Sequence, residues 1–477
     1  MKTIILLIVG VFVYNPALAF QSENIDNTPG DPLNFERVEQ VSDSLAHLLI
    51  KDNLITGMSI AIAKADKVIL SKGYGLANVE HKVEATPKTV YRIASISKQF
   101  TAAIILKLIE EGKMEISDTL GKYLPEYPAH GAGITIRQLL NQTSGIGSKK
   151  YNTEVEKIEA GRKAYYELSE DEILEMFANA PLEFVPGEQF AYRNQNYILL
   201  GMIIEKVSGL PYGQYLEEEF LEPLGLEQTG YCDENRIIGS RAQGYISSRG
   251  EILNSPYINM KNPGGAGGLC STVLDLVRWN HLLYSGQVVS RESLDQMTAT
   301  GILEDGRPTE YGFGLKLSKL GDHRKIYHGG SIQGFNSNLE FYPEEDLSIA
   351  VMTNTGSGQD ENISEALARA AFGLEIKTRE LSAAERQKYE GSYMVKIPEK
   401  AIEIRFFLKD DQLQVDLAGQ GISPLLFQGN SRFVAILDKN LIFTFLEKDE
   451  HFPELIVEMQ GKTFSGIRKD LTSTTDN

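Results

Sequence analysis

The segment at residues 95–98 reads Ser-Ile-Ser-Lys and opens a stretch whose apolar residues recur at helical spacing. Side chains at positions i and i+3 of a helix share one face, so we expect the Ser95 hydroxyl to lie beside the Lys98 amine. The N-terminus of the helix favours an alkoxide at Ser95. A lysine acts as a base only when burial lowers its pKa, and the apolar neighbours of Lys98 favour burial. The motif therefore predicts an activated serine, although it also fits a helix-capping serine beside a surface lysine.

A second candidate cluster, Tyr192-Arg193-Asn194, follows the turn at Pro186-Gly187. A turn of the form Tyr-x-Asn directs a phenol and an amide into one cleft. Given a lowered pKa, the Tyr192 phenol is expected to exchange a proton with the serine or with the leaving group. The Asn194 amide is expected to bind the carbonyl or the amide of an acyl substrate. A lone Tyr-x-Asn more often packs a loop tyrosine on a core, so this cluster depends on the first motif for its meaning.

The third cluster is His328-Gly329-Gly330-Ser331, which lies among segments that alternate like strands. Small residues such as Gly330 let a substrate backbone approach the edge of a strand. The backbone N–H of Ser331 is then placed to form an oxyanion hole with that of Ser95. Loss of one such donor typically costs about 2.7–4 kcal/mol of transition-state stabilisation. The alternative interpretation is a strand histidine beside a glycine bulge.

In this order the three clusters resemble the motifs of the serine β-lactamase and penicillin-binding-protein family. The closest resemblance is to its class C β-lactamase-like branch, where Tyr-x-Asn replaces Ser-Asp-Asn. The resemblance covers about residues 35–375. It is supported by further stretches at residues 136–145, 186–192, 223–226 and 266–269.

The resemblance implies a role for each motif residue. Ser95 is the nucleophile that becomes acylated, and Lys98 and Tyr192 share the acid and base steps. Asn194 holds the amide or carbonyl of the substrate. His328 stands at the substrate-binding position where the family's third motif carries a lysine or a histidine. No cofactor and no metal are expected, and the expected substrate is a small molecule or a short peptide.

The third motif departs from that of penicillin-destroying members, which carry Lys-Thr-Gly or Lys-Ser-Gly. There the lysine charge and the hydroxyl receive the carboxylate of the drug. His328 and Gly329 supply neither, because an unperturbed histidine is largely neutral at pH 7. We therefore predict a serine hydrolase that forms an acyl-enzyme with an ester or with a D-amino-acid-containing peptide or amide. The alternatives are a β-lactamase or D-Ala-D-Ala carboxypeptidase and, from another class, a non-catalytic cell-wall-binding relative.

The periodicity of the chain predicts an α/β fold. Strand patterns over residues 58–75 precede a mostly helical region over residues 96–300, and strand patterns return after residue 310. Sheet edges far apart in sequence must therefore meet, which predicts an antiparallel sheet flanked by helices with an inserted helical subdomain. From about residue 380 short alternating segments predict a small all-β barrel or sandwich, which resembles a lipocalin-like domain.

The N-terminus has the pattern of a signal peptide. Lys2 precedes an apolar run that is too short to span a bilayer comfortably, and Ala17-Leu18-Ala19 is typical of a cleavage site. The sequence thus predicts a signal peptide over residues 1–20, a hydrolase domain over 21–378 and an all-β domain over 379–477. An exported protein is expected, periplasmic or extracellular, without a transmembrane anchor after signal cleavage.

The composition of the chain argues against some classes of binding partner. The formal net charge of −18 argues against nucleic-acid binding, and the seven histidines form no metal-binding spacing. Cys232 and Cys270 are the only cysteines. Export permits a disulfide between them, but two buried thiols fit the sequence equally well. The sequence leaves the oligomeric state open.

Overall fold

The computed structural model describes most of the chain after the predicted signal segment. The described residues are 33–147, 161, 163–178, 181–248, 250–374, 381–397, 400–409, 411–417, 422–435, 441–448, 451–459 and 462–469. The predicted signal peptide at residues 1–20 and the predicted domain boundary at 378/379 lie outside these residues.

The strands fall into two groups that are separated along the chain. The first group, in chain order, is β1 (Gly57–Lys64), β2 (Lys67–Asn78), β3 (Val83–Glu84), β4 (Tyr91–Arg92), β5 (Gly230–Tyr231), β6 (Tyr245–Ser248), β7 (Glu251–Asn254), β8 (Leu269–Ser271), β9 (Lys316–Leu320), β10 (His323–Ile332), β11 (Phe335–Tyr342) and β12 (Leu347–Thr353). The second group is β13 (Gly391–Ile397), β14 (Lys400–Lys409), β15 (Gln412–Leu417), β16 (Ile422–Gly429), β17 (Arg432–Ala435), β18 (Ile442–Lys448), β19 (His451–Met459) and β20 (Lys462–Arg468).

Most helices lie between β4 and β9. In chain order the α-helices of the described residues are α1 (Phe35–Lys51), α2 (Ser97–Glu110), α3 (Leu120–Tyr123), α4 (Ile136–Leu140), α5 (Glu170–Ala178), α6 (Asn194–Ser208), α7 (Tyr212–Gln214), α8 (Glu222–Leu224), α9 (Val273–Tyr284), α10 (Arg291–Met297), α11 (Asp360–Ala371) and α12 (Ala383–Gln387). A π-helix (Tyr215–Leu221) joins α7 to α8, and short 3₁₀ helices occupy Ala94–Ile96 and Gly264–Ala266.

The central sheet joins the two ends of the first strand group. Its order is β3-β2-β1-β12-β11-β10-β9, and every neighbouring pair is antiparallel. Met58 of β1 lies opposite Thr353 of β12, so strands from distant parts of the sequence pair directly. This confirms the prediction of an antiparallel sheet that flanks a large helical insertion.

The sheet separates two hydrophobic cores, because successive side chains of a strand point to opposite faces. On β1, Ile60 and Ile62 join the core that contains α1 and α11. Ala61 and Ala63 join the larger core of the helical insertion. The Asn34 side chain caps α1 by accepting a hydrogen bond from the backbone of Arg37.

The second strand group forms a closed barrel. The strands pair in sequence order from β13 to β20, and β20 pairs back with β13. Aromatic rings fill the interior; Tyr393, Phe406, Phe443 and Phe445 are all buried there. The structure therefore selects the barrel from the two predicted all-β forms. Together the sheet, the helices and the barrel confirm the predicted fold class.

Of the helices that the structure describes, none has both the length and the apolar character required to cross a bilayer.

Candidate active site

Ser95 lies where β4 leads into α2. It belongs to the 3₁₀ turn Ala94–Ile96, so it precedes the first residue of the α-helix rather than lying within it. Its side chain is half-buried. The residue before it, Ala94, has a left-handed φ of 46°, a conformation that costs a non-glycine residue about 1–3 kcal/mol. Hydrogen bonds of Ile93 to Leu269 and of Ile96 to Ile93 hold this turn in place.

Lys98 is fully buried, and each of its three hydrogen-bond partners is an oxygen atom. Its Nζ atom lies 2.9 Å from Ser95 Oγ, 2.9 Å from Asn194 Oδ1 and 2.8 Å from the carbonyl oxygen of Ala266. Burial, and then the positive charge of Lys316, hold the pKa of Lys98 well below its usual range. The structure thus brings Ser95, Lys98 and Asn194 together as the sequence predicts.

Tyr192 lies next to this group. Its ring centroid is 5.0 Å from Lys98 Nζ. Burial raises the pKa of Tyr192 to about 12, while the contact with Ser95 opposes that rise. The sequence interpretation required a lowered pKa, which is the opposite of what burial produces. The phenol therefore stays protonated at neutral pH.

Gln142 positions the loop that carries Tyr192. Its Oε1 atom accepts hydrogen bonds from the Arg193 backbone at 2.9 Å and from Asn196 Nδ2 at 2.6 Å, and its own carbonyl accepts from Ala191. Ser144 donates to Asn196 at 2.6 Å. The sequence marked residues 136–145 only as a supporting stretch, so it missed this positioning role.

Asn194 is the first residue of α6 and is exposed at the cleft. Because its Oδ1 atom accepts from Lys98, its Nδ2 atom is the donor directed to other partners. An amide held in this orientation is suited to donate to a carbonyl oxygen.

β10 carries the third cluster, and its residues differ in exposure. His328 is buried, with Nε2 3.2 Å from the Tyr311 hydroxyl and Nδ1 2.6 Å from the carbonyl oxygen of Gly329. Burial, and then the charge of Lys98, hold the pKa of His328 well below its usual range. Ser331 is exposed. His328 therefore faces the aromatic rings behind the cleft, and Ser331 faces the cleft.

Gly330 is buried against the backbone beside Ser95. A Cβ atom at this position would lie 2.2 Å from the carbonyl oxygen of Ile93 and 2.5 Å from Ser337 Oγ. The sequence interpretation assigned this glycine to the approach of a substrate. In the structure its small size instead permits contact between β10 and the turn that carries Ser95.

Ser95, Asn194 and Ser331 line one cavity of about 360 Å³. The 3₁₀ helix that ends at Ala266 forms part of the same wall. Groups of His, Cys, Asp or Glu suited to bind a metal are absent from the residues that the structure describes.

A disulfide bond lies next to β4, the strand that leads to Ser95. Cys232 and Cys270 are bonded, with Cα atoms 5.2 Å apart. Cys270 lies on β8 opposite Arg92 of β4, the strand that leads to Ser95. The bond therefore resolves the two alternatives that the sequence left open.

The candidate site thus combines a serine, a buried lysine and a phenol. They meet between an antiparallel sheet and a helical insertion, an arrangement typical of proteins with a Ser-x-x-Lys motif. The Beta-lactamase family model matches residues 42–373. The chain belongs to this family, whose members are serine hydrolases. The predicted family is thus confirmed.

Two curated relatives illustrate the similarity. Protein flp of Staphylococcus aureus strain MW2 is 31% identical over 328 residues, which are 67% of this chain and 63% of that protein. A D-aminopeptidase of Gluconobacter oxydans strain 621H is 28% identical over 343 residues, 71% of this chain and 63% of that protein. The chain therefore spans less than two thirds of the length of these relatives.

Two solved structures share the fold. The octameric penicillin-binding protein homologue from Pyrococcus abyssi is 26% identical with a TM-score of 0.61, and the match covers 90% of this chain and 99% of that chain. A D-stereospecific amidohydrolase from Streptomyces sp. is 26% identical with a TM-score of 0.60, covering 70% of this chain and 99% of that chain.

Proposed function

We propose that this protein hydrolyses an ester or a D-amino-acid-containing peptide or amide through an acyl-enzyme on Ser95. The observation that carries the proposal is the environment of Lys98. Its amine is fully buried and contacts the serine hydroxyl and two carbonyl oxygens. This arrangement fits a neutral lysine that serves as a base.

The hydrogen-bond pattern explains why the amine fits its site without a charge. A neutral amine has two N–H donors and one lone pair. The oxygens of Ala266 and Asn194 can only accept, so they take the two donors. The lone pair then faces the third partner, the hydroxyl of Ser95, and can accept its proton. Burial favours this neutral form because it penalises the charged one.

Acylation then proceeds in two steps, the formation and the collapse of a tetrahedral intermediate. Lys98 takes the Ser95 proton while Oγ forms a bond to the scissile carbonyl carbon, which leaves an ammonium and a tetrahedral oxyanion. When the intermediate collapses, the bond to the leaving group breaks and the leaving group takes a proton. Tyr192 can supply that proton and recover one from Lys98, because its phenol stays protonated and its ring lies next to the Lys98 amine. Water then takes the place of the leaving group and attacks the acyl carbon, and its proton passes to Lys98. When the bond to Oγ breaks, the acid is released and Lys98 returns a proton to Ser95.

The proposed binding groups surround the nucleophile. The backbone N–H groups of Ser95 and Ser331 would stabilise the oxyanion, since both residues line the same cavity. Asn194 Nδ2 would donate to the acyl-side carbonyl or amide of the substrate. These roles agree with the motif order of the family to which the chain belongs.

The substrate class is supported by the third motif and by the relatives. His328 is buried and its pKa lies well below its usual range, so it supplies no positive charge for a drug carboxylate at neutral pH. The D-aminopeptidase and the D-stereospecific amidohydrolase among the relatives support a D-amino-acid substrate. An ester fits the same acyl-transfer chemistry.

We also propose export to the periplasm or the extracellular space. The signal-like segment at residues 1–20 and the disulfide between Cys232 and Cys270 both support an oxidising compartment. We further propose that the hydrolase domain ends at residue 378 and that the barrel domain begins at residue 379.

The test is a substrate panel on the purified protein. p-Nitrophenyl acetate, a D-amino-acid p-nitroanilide and nitrocefin are compared for the wild type and Ser95→Ala. We expect turnover of the ester or the anilide, nitrocefin hydrolysis near background, and loss of turnover in Ser95→Ala. A fluorophosphonate probe should add the mass of one phosphonyl group to the wild type and none to the Ser95→Ala variant. Peptidoglycan binding without turnover or labelling would instead support the non-catalytic relative, and dominant nitrocefin turnover would support a β-lactamase.

A further inference from the structure

One wall of the cavity beside Ser95 is apolar, and helix α5 supplies three of its residues. Ile173, Met176 and Phe177 of α5 all line the cavity, and their spacing of three and four residues places them on one helical face. Ile173 and Met176 are only partly buried, so they present apolar surface to the cavity. Phe177 is buried behind them.

The apolar wall continues on both sides of α5. Ile198 lies one helical turn after Asn194 on α6 and lines the same cavity. Ile332 follows Ser331 at the end of β10 and borders the cavity from the sheet. The apolar surface therefore begins next to Asn194 and Ser331, two of the residues that are proposed to bind the substrate.

We propose that this wall, formed by Ile173, Met176, Phe177, Ile198 and Ile332, binds an apolar acyl group and makes the enzyme prefer medium-length aliphatic or aromatic acyl substrates. The inference rests on the proposed function, because it requires an acyl-enzyme on Ser95. Asn194 and Ile198 share one face of α6 at positions i and i+4. A substrate whose acyl-side carbonyl accepts from Asn194 therefore extends its acyl group along the apolar wall rather than towards solvent.

The size and chemistry of the cavity agree with this assignment. Its volume of about 360 Å³ lies within the range of about 300–1,000 Å³ that is usual for small-molecule sites. Each methylene group that enters such a wall changes the rate constant roughly fourfold when it is fully buried. α5 is thus a specificity-determining element, separate from the residues that carry out the chemistry.

A chain-length series tests the inference. p-Nitrophenyl acetate, butyrate and octanoate share one leaving group, so differences in kcat/KM report on the acyl side. For the wild type we expect kcat/KM to rise at least tenfold from acetate to octanoate. Ile173→Asp should lower the octanoate-to-acetate ratio of kcat/KM at least fivefold, because a carboxylate in the wall penalises the longer chains more than the acetyl group. The matched control is Ile237→Asp, which changes a fully exposed isoleucine and should keep the rise.

A gain of function guards against a variant that merely folds poorly. Ile173→Lys should increase hydrolysis of a p-nitrophenyl half-ester of a dicarboxylic acid relative to butyrate by at least fivefold, because the new cation meets the free carboxylate. A flat chain-length profile in the wild type, with acetate hydrolysis that depends on Ser95, would overturn the inference and leave the proposed function intact. Absence of ester turnover together with absence of fluorophosphonate labelling would overturn both.

Discussion

The Nζ atom of Lys98 donates to the carbonyl oxygen of Ala266 across 2.8 Å, although the two residues are 168 positions apart in sequence. This contact holds the lysine amine and satisfies one of its donors. The base is thus held by the backbone of a distant 3₁₀ helix as well as by its own helix. Its protonation state is therefore a property of the folded chain.

Lys98 should give the pH profile of ester hydrolysis its acidic limb. Burial holds the Lys98 pKa well below its usual range, so the neutral base is present above that folded-state pKa and disappears as the pH falls through it. We expect kcat/KM to rise with pH to a plateau that is reached below the usual lysine pKa of about 10.4. Lys98→Arg should lower kcat/KM by about a hundredfold to ten-thousandfold.

Lys107→Arg is the control for this prediction, because Lys107 lies on the same helix and its side chain is partly exposed, whereas that of Lys98 is fully buried. It should keep the wild-type profile. An inflection at the pKa of an exposed lysine, or full activity in the Lys98→Arg variant, would contradict the role of Lys98 as the base.

The Tyr192 hydroxyl should matter most for poor leaving groups. Tyr192→Phe keeps the ring but removes the proton donor, whose pKa burial raises to about 12. We expect kcat/KM for an anilide to fall about a hundredfold, because the amine must be protonated as it departs. Hydrolysis of a p-nitrophenyl ester should fall much less, because nitrophenolate leaves without a proton. Equal losses on both substrates would show that Tyr192 acts only by position.

Gly330→Ala should damage the site by overpacking. The added Cβ would lie 2.2 Å from the Ile93 carbonyl, so β10 or the Ser95 turn must move. We expect a loss of about 1–3 kcal/mol in the free energy of unfolding and a larger loss of activity. Thermal unfolding and ester kinetics measure the two effects. Gly239→Ala is the control, because a Cβ there meets nothing within 4 Å.

Loss of the disulfide should destabilise the protein. Cys232 and Cys270 enclose a loop with a sequence separation of 38, for which chain entropy corresponds to about 4 kcal/mol. We expect the Cys232→Ser, Cys270→Ser double variant to unfold at a lower urea concentration, by about 2–4 kcal/mol in the free energy of unfolding. Identical unfolding midpoints for the oxidised wild type and the double variant would contradict a stabilising bond.

Part of the site was predictable because it depends on local spacing or on a known motif order. The distance between Ser95 and Lys98 follows from the i, i+3 geometry of a helix. Tyr192 and Asn194 came from the order of the family motifs, and the central sheet came from strand patterns at both ends of the helical region. The family and the fold class are confirmed, whereas the residue roles stay predictions.

The rest depends on contacts that leave no local pattern. The Ala266 carbonyl reaches Lys98 only after the chain has folded, and nothing in the sequence marks a backbone oxygen as a partner. The pKa of Tyr192 was expected to fall, but burial raises it, and the degree of burial is not visible in a linear sequence. Gly330 was assigned to substrate approach because its true neighbour, the Ile93 carbonyl, lies on a different element.

The pairing of β1 with β12 has a consequence for the kinetics of folding. Met58 faces Thr353 across the sheet, so these strands must find each other over about 300 residues, and contacts of such long range slow folding. Ser95 follows β4, which pairs with β8 in a separate small sheet, whereas Ser331 belongs to β10 in the late half of the central sheet. The proposed oxyanion hole therefore forms only when β10 has packed against the turn that carries Ser95. A newly synthesised chain is expected to remain inactive until that final step, which delays acyl transfer until maturation is complete.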